Sequence, residues 1–158
     1  MKYSVLMIWT FMSMMAYSTS SCDKNDANSN INHIPENTSP MANSKIKIKV
    51  GSKTFVVTLL NNNSAKAFKE MLPLTINMIE LNANEKYFDM PNSLPTNSSS
   101  PGSIKTGDLM LYGSKTLVLF YKTFSTSYSY TKLGSIDDVT GLAAALGSGN
   151  VTITFEKQ

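Results

Sequence analysis

Three segments of the chain alternate between apolar and polar residues, strictly in KIKIKV at 45–50 and over most of their length in LTINMIEL at 74–81 and NVTITFEK at 150–157. A period of two places every second side chain on the same face of a β-strand. Each segment therefore predicts a strand that buries one face and exposes the other. A chain built from such segments must bring several of them together around a shared core.

Further short strands and two helices fit between these segments. TFVVTLL and TLVLFYKTF are rich in β-branched and aromatic residues and predict additional strands, and IKTGDLMLYG predicts a loop that leads into a short strand. NNNS supplies a cap for a helix over AKAFKEML, which Pro73 ends. GLAAALG predicts a second short helix, for which Asp138 or Thr140 would be the N-cap.

About eight short strands and two helices in residues 45–158 predict a mainly β domain. Many short strands with turn residues between them favour a closed or nearly closed β-barrel, because closure removes exposed strand edges. The two short helices would then cover the ends of the barrel. We find no internal repeat and no second domain.

The N-terminal residues 1–21 have the layout of a signal peptide. Lys2 precedes a mostly apolar run of 13 residues from Val5 to Tyr17, which is too short to span a bilayer. Cys22 follows small residues, which resembles the bacterial lipoprotein signal in which this cysteine becomes lipidated. The alternative is ordinary cleavage near Ser20, which would leave a free thiol. Lipidation predicts an exported protein anchored in the membrane of the cell envelope.

Residues 22–44 predict a disordered tether behind that anchor. The segment after Cys22 is dominated by Asn and Ser, and its apolar residues are isolated. Such a composition buries too little surface to offset the entropy lost on ordering. His33, the single histidine, lies in this segment, so a catalytic triad or metal site built on it is not expected.

The charged residues exclude several functions. All 14 basic residues are Lys and the chain has no Arg, which nucleic-acid-binding proteins use to contact phosphates and bases. With one His and one Cys, the chain offers no metal-ligand spacing and no activated nucleophile. We therefore expect no nucleic acid, metal, cofactor or catalytic residue, and we expect a monomer.

The segment FSTSYSYT at 124–131 interleaves aromatic rings with hydroxyl groups. The hydroxyl-rich part is poor core material and predicts turns or bulges at a rim. Phe124, Thr126 and Tyr128 are therefore candidates for contacting a ligand, although the rings could equally pack in the barrel. Tyr combines an apolar ring with a polar group, which suits either position.

A second candidate is NEKYFDMP, which we expect to form a loop between two strands. Binding residues concentrate in loops, so Glu85 and Tyr87 are candidates for ligand contacts. The other interpretation is a turn whose charges stay in water. No nucleophile or second base lies nearby, so a catalytic role for Glu85 has no support.

The motifs MLPLT, NEKY, LPTN, GDLMLYG, FSTSYSYT and IDDVTGLAAALGSGNVTITFE resemble a bacterial family of cyclophilin-like proteins. The resemblance covers residues 45–158 and implies a cyclophilin-like barrel. Members of this family are smaller than true cyclophilins, and their activity is largely unassigned. A cyclophilin active site is a groove of aromatic and apolar side chains with an Arg aimed at the proline amide. Here only Lys122 could lend a charge, and its alternative role is that of a solvated strand lysine.

The sequence thus predicts an envelope lipoprotein whose domain binds a small molecule or an extended peptide in an aromatic-rimmed groove. The first alternative is an atypical prolyl isomerase that acts on envelope proteins. The second is a structural or partner-docking module without a small ligand. A fold alone does not decide among these functions.

Overall fold

The computed structural model describes residues 37–158, and their side chains from Ser44 onward. The elements in chain order are β1 (Asn37–Val50), β2 (Lys53–Asn61), α1 (Asn63–Glu70), β3 (Leu74–Leu81), β4 (Glu85–Asp89), β5 (Ser103–Ile104), β6 (Asp108–Tyr112), β7 (Thr116–Phe120), β8 (Phe124–Ser125), β9 (Thr131–Ile136), α2 (Leu142–Leu146) and β10 (Val151–Lys157). The predicted signal peptide, Cys22 and His33 lie outside the described residues.

Eight strands form a closed barrel in the order β1-β10-β3-β4-β7-β6-β9-β2, and every neighbouring pair is antiparallel. β5 and β8 form a separate two-stranded sheet. The prediction of a mainly β, closed barrel of about eight strands is confirmed. Within the described residues, no helix is long and apolar enough to cross a membrane.

The main core fills the inside of the barrel. Ile46, Ile48 and Val50 of β1 are buried there, as their alternation predicts, together with Ile153 and Phe155 of β10. The two helices add Phe68 of α1, and Leu142 and Leu146 of α2, to the same core. Because the strands enclose the sides of the barrel, the helices reach this core at its ends.

A second, smaller cluster lies on the outer face of the barrel. Met110 of β6 and Val118 and Phe120 of β7 point away from the main core because their neighbours in sequence point into it. Ile104 of β5 and Phe124 of β8 pack on this outer face. The small β5–β8 sheet therefore covers part of the barrel wall and extends the hydrophobic packing beyond the barrel.

Two boundaries differ from the prediction. β1 begins at Asn37, within the segment 22–44 assigned to a tether, and Asn37 pairs with Asn61 of β2. This pairing uses backbone hydrogen bonds, which an apolar pattern does not reveal. NEKYFDMP was expected to be a loop, but residues 85–89 form β4, which pairs with β3 and β7.

The start of α2 also differs from the prediction. Its N-cap is Gly141, at a φ of 79°, and it makes no side-chain capping bond. Asp138 instead accepts a hydrogen bond from the backbone N–H of Thr140 at 2.9 Å, which closes a turn before the helix. For α1 the predicted cap is confirmed, since the Asn62 side chain accepts a bond from the N–H of Ala65 at 2.8 Å.

Candidate functional site

A groove of about 600 Å³ lies on the outer face of the barrel. This volume falls within the range of small-molecule sites in proteins. Its lining combines outward-facing side chains of four barrel strands (β3, β4, β6 and β7) with the β3–β4 turn and the chain that follows β7: Leu81, Asn82, Asn84, Glu85, Tyr87, Asp89, Tyr112, Thr116, Val118, Phe124, Ser125, Thr126, Ser127, Tyr128 and Tyr130.

The strand register places the floor of the groove. Glu85, Tyr87 and Asp89 share one face of β4 because they are two residues apart. Tyr87 lies opposite Val118 of β7, and Asp89 lies opposite Thr116. The Thr116 hydroxyl donates a hydrogen bond to Asp89 Oδ1 at 2.6 Å. These cross-strand pairs hold the floor side chains at fixed positions on a rigid sheet.

Residues 124–130 form one wall of the groove, and their rings pack on rings of the barrel. The Tyr112 ring lies 6.2 Å from that of Tyr128 and 5.6 Å from that of Tyr130. Phe120 contacts the rings of both Phe124 and Tyr130, at 5.7 and 5.5 Å. Tyr130 is buried, whereas Tyr128 is 63% exposed at the rim. The Tyr112–Tyr128 and Phe120–Tyr130 contacts are edge-to-face, a geometry that adds to the stability that ring burial provides.

The match to a family model decides what this barrel is related to. The model described as the "Cyclophilin-like family" matches residues 48–156, which is most of the chain. The chain belongs to the cyclophilin-like family. This result confirms the resemblance that the sequence motifs indicated.

A solved structure has a fold similar to this cyclophilin-like domain. It is the solution structure of a hypothetical protein from Archaeoglobus fulgidus, with a TM-score of 0.56 and 15% sequence identity. The match covers 78% of this chain and 98% of that chain. At this identity the likeness shows the fold alone. No curated protein matches the sequence.

The structure brings together five of the six residues named from the sequence as ligand contacts in this cyclophilin-like domain. Glu85, Tyr87, Phe124, Thr126 and Tyr128 all line the groove, although β4 and the wall segment are far apart in sequence. The sixth is separated from them, since Lys122 is exposed and is not among the lining residues. Lys122 follows the end of β7 at Phe120 and does not supply a charge to the groove lining.

Sequence reasoning missed several lining residues, notably Asn84, Asp89, Tyr112 and Val118. Tyr112 and Val118 belong to strands whose alternate residues fill the barrel, so they looked like ordinary strand positions. Their outward parity on β6 and β7 was the available signal, once both strands were known to border β4.

The groove, on the outer face of the barrel wall, carries negative charge. Its lining includes two carboxylates, Glu85 and Asp89, and no Lys. Burial and the neighbouring charge of Glu80 raise the pKa of Glu85 above its ordinary value. Among residues 44–158, whose side chains the structure describes, no hydrogen bond or ion pair reaches the Glu85 carboxylate. This carboxylate is therefore half-buried without a counter-ion in that part of the chain.

The β3–β4 turn contributes an unusual polar edge to the groove. Asn82 and Ala83 both have positive φ, at 54° and 53°, as the two central residues of a type I′ turn do, and the Asn84 N–H donates a hydrogen bond to the Leu81 carbonyl oxygen at 3.3 Å. Asn84 Oδ1 is buried and has no hydrogen-bond partner among the described residues. A buried acceptor without a partner costs free energy, and such groups concentrate where something else can bind.

Behind this face, inside the barrel, lies a buried ionic cluster of Lys86, Glu80 and Tyr121. The Lys86 ammonium donates hydrogen bonds to Glu80 Oε2 and to the carbonyl oxygens of Gly147 and Gly149, the latter two at 2.9 and 2.6 Å. The Tyr121 hydroxyl donates to both Glu80 carboxylate oxygens at 2.8 and 2.9 Å. The cluster ties β3 and β4 to the chain after α2.

The ionic cluster shifts the acidities of its members. Burial opposes ionisation of Glu80, but hydrogen bonds from Lys86 and Tyr121 outweigh it and lower the pKa of Glu80. Burial and the hydrogen bond to Glu80 raise the pKa of Tyr121 to about 12. The lowered pKa keeps the Glu80 carboxyl ionised, and the raised pKa keeps the Tyr121 phenol neutral, at neutral pH. Every polar group in it is occupied, so the cluster is structural.

No group of three or more His, Cys, Asp or Glu side chains in residues 37–158 is placed to hold a metal ion. The groove contains hydroxyl groups but no His or Lys beside them to act as a base. The groups that line it are aromatic faces, hydroxyl groups and two carboxylates.

Proposed function

We propose that this protein is an envelope lipoprotein whose cyclophilin-like domain binds a small ligand or extended peptide in the groove, without true cyclophilin catalysis. The observation that carries the proposal is the groove itself, in which Glu85, Tyr87, Phe124, Thr126 and Tyr128 converge on a volume of about 600 Å³. Exposed aromatic rings over such a volume favour ligand binding over a purely structural role. The alternative of a structural or docking module keeps the same fold and leaves the groove empty.

The proposed location comes from the sequence. A lipidated Cys22 would anchor the chain, because each methylene of an acyl chain that enters the membrane contributes about 0.8 kcal/mol of binding free energy. More than one chain is needed for stable anchoring, and lipoprotein modification supplies several. We therefore propose that the barrel works at the surface of a membrane of the cell envelope.

The groove is tested by a fragment screen on the purified full chain, followed by amide chemical shifts in NMR spectra. The fragments comprise matched cationic, neutral and anionic compounds. We expect the bound fragments to shift resonances of residues 85–89 and 124–130 first, because these segments line the groove. Fragments that shift only residues elsewhere, or no shifts at all, would favour the structural module.

The variant Tyr128→Ala separates binding from folding in the same screen. A buried aromatic residue truncated to Ala costs about 3–5 kcal/mol, whereas a rim residue costs far less. Because Tyr128 is 63% exposed, we expect a loss below about 1 kcal/mol in denaturant unfolding and weaker binding of groove fragments. A loss of 3 kcal/mol or more would show that Tyr128 is a core residue.

The isomerase alternative is tested by its activity. Rotation about a peptide bond has a barrier of about 18–20 kcal/mol, and lowering it requires a positioned donor in a water-poor site. Removing one such donor costs about 10²–10³ in rate, and this chain has no Arg to provide it. We expect a protease-coupled assay on a Xaa-Pro peptide to show no appreciable acceleration. Acceleration close to that of a true cyclophilin would establish the isomerase, and its loss in Lys122→Ala would assign the role to that lysine.

The lipid anchor is tested by labelling. Cells that express the full chain and are fed an alkyne fatty acid should yield a labelled protein, and Cys22→Ala should abolish the label. Cleavage before Cys22 without any label would refute lipidation and leave the free-thiol alternative.

A further inference from the structure

The groups that line the groove attract cations rather than anions, which limits the class of ligand that it can bind. Its lining contains four Tyr and one Phe, two carboxylates and no cationic side chain. Aromatic faces carry negative partial charge, and they attract cations, as carboxylates do. An anionic ligand would meet repulsion from both kinds of group.

The two carboxylates are not equivalent. They are four residues apart on β4, which separates them by about 13 Å along the strand. Asp89 is exposed and already accepts a hydrogen bond from Thr116. Glu85 is half-buried and has no hydrogen-bond or ionic partner in residues 44–158. A bound cation would therefore stabilise the charge of Glu85 much more than that of Asp89.

The strand register surrounds Glu85 with apolar and aromatic groups. Its neighbours across the sheet are Leu81 of β3 and Phe120 of β7. Tyr87, two residues along β4 on the same face, lines the groove beside it, and Tyr130 lies close enough for Glu85 to raise the pKa of its phenol, after burial. A carboxylate among rings, open to a cavity on one side, is an arrangement that binds alkylated ammonium groups.

Nearby Lys86 does not serve as the missing counter-ion. It is the next residue along β4, so its side chain points to the opposite face of the sheet. It is fully buried there and pairs with Glu80 instead. The barrel wall thus separates a satisfied ion pair inside from an unpaired carboxylate outside.

We propose that the groove binds a small organic ammonium compound, with its charged nitrogen against Glu85 and its alkyl groups against the ring of Tyr87. This inference rests on the proposed function, because it specifies the ligand of that same groove. The volume of about 600 Å³ suits a drug-sized molecule.

The test uses probes matched in shape. Choline and 3,3-dimethyl-1-butanol differ by a nitrogen in place of a carbon, so only the first is charged. Both are titrated into the purified full chain at low salt, and binding is measured from the shifts of the groove resonances. We expect choline to bind about tenfold more tightly than its neutral analogue, since ion pairing and cation–π attraction act on choline alone.

Charge-neutralising variants locate the nitrogen. Glu85→Gln should weaken choline binding about tenfold and leave 3,3-dimethyl-1-butanol unchanged, because it removes the charge and keeps the shape. Asp89→Asn should weaken choline binding at most twofold to threefold, because the Asp89 carboxylate already accepts a hydrogen bond from Thr116. Glu70→Gln, on the exposed face of α1 outside the groove, is the matched control and should change neither.

The outcomes separate this inference from the proposed function. Equal binding of the two probes in the groove, or an unchanged choline affinity in Glu85→Gln, overturns the ammonium assignment and leaves the groove as a ligand site. Binding of a blocked Gly-Lys-Gly peptide but not of choline overturns the small-molecule assignment. If no fragment or probe of any charge reaches the groove, the proposed function fails as well.

Discussion

A Lys86→Met variant is expected to lose about 3 kcal/mol of unfolding free energy. Lys86 is fully buried, and its ammonium bonds Glu80 and the carbonyl oxygens of Gly147 and Gly149. Removing one partner of a buried ion pair costs about 3–5 kcal/mol because the other charge is left without compensation. We expect the lower end, since the Glu80 side chain is 18% exposed and keeps some contact with water. Urea unfolding followed by circular dichroism measures the loss.

The double variant Lys86→Met/Glu80→Gln is the control for this result. It removes the orphaned carboxylate and should recover part of the lost stability, which separates an ionic effect from a packing defect.

The single variant Glu80→Gln tests how the stability depends on pH. The pKa of Glu80 is lowered in the folded protein, so its contribution is complete above the unfolded value near 4.5 and is lost as the pH falls through the folded pKa. Stabilities of the wild type and Glu80→Gln should therefore converge in acid. A Lys86→Met variant as stable as the wild type would contradict the ionic role of Lys86.

Gly134→Ala is expected to destabilise the barrel by about 1–3 kcal/mol or more. Gly134 of β9 pairs with Leu59 of β2, one of only three residue pairs recorded between these strands. A Cβ atom at Gly134 would lie 2.4 Å from the Thr58 carbonyl oxygen and 2.9 Å from the Leu59 Cα. These are backbone atoms, so the strands must separate to accommodate a methyl group, and overpacking of this kind is costly. Thermal unfolding with calorimetry measures the loss.

Gly149→Ala is the matched control for Gly134. A Cβ atom there would meet nothing within 4 Å, and no positive φ requires a glycine. The control should stay within about 0.5 kcal/mol of the wild type. If the two variants unfold at the same temperature, the close approach of β2 and β9 does not limit this position.

Much of the barrel could be predicted because its strands are amphipathic. Ile46, Ile48 and Val50 alternate with lysines, and this pattern can be satisfied in only one way in a half-buried strand. β4 escaped prediction because its inward position is occupied by Lys86, a charge where the pattern calls for an apolar residue. The partners that make Lys86 tolerable, Gly147 and Gly149, are about sixty positions away in sequence. No local pattern contains that information.

The groove could be predicted in composition but not in extent. Phe124, Thr126 and Tyr128 were named because rings interleaved with hydroxyls make poor core. Lys122 was named as the charge that could take the place of the cyclophilin Arg, whereas the chain leaves β7 after Phe120 and Lys122 does not line the groove. Asp89 and Tyr112 join the groove only through the pairing of β4, β7 and β6, which is a tertiary property.

The inward face of β4, β6 and β7 packs in the barrel core, whereas the outward face lines the groove. This division affects how the sequence can evolve. Leu117 and Leu119 face inward and fill the barrel, whereas Thr116 and Val118 alternate with them along β7 and face outward. Substitutions at outward positions can therefore change the lining of the groove while the inward residues continue to fill the barrel. The surface of the proposed ligand site can thus diversify one alternate residue at a time without loss of the fold.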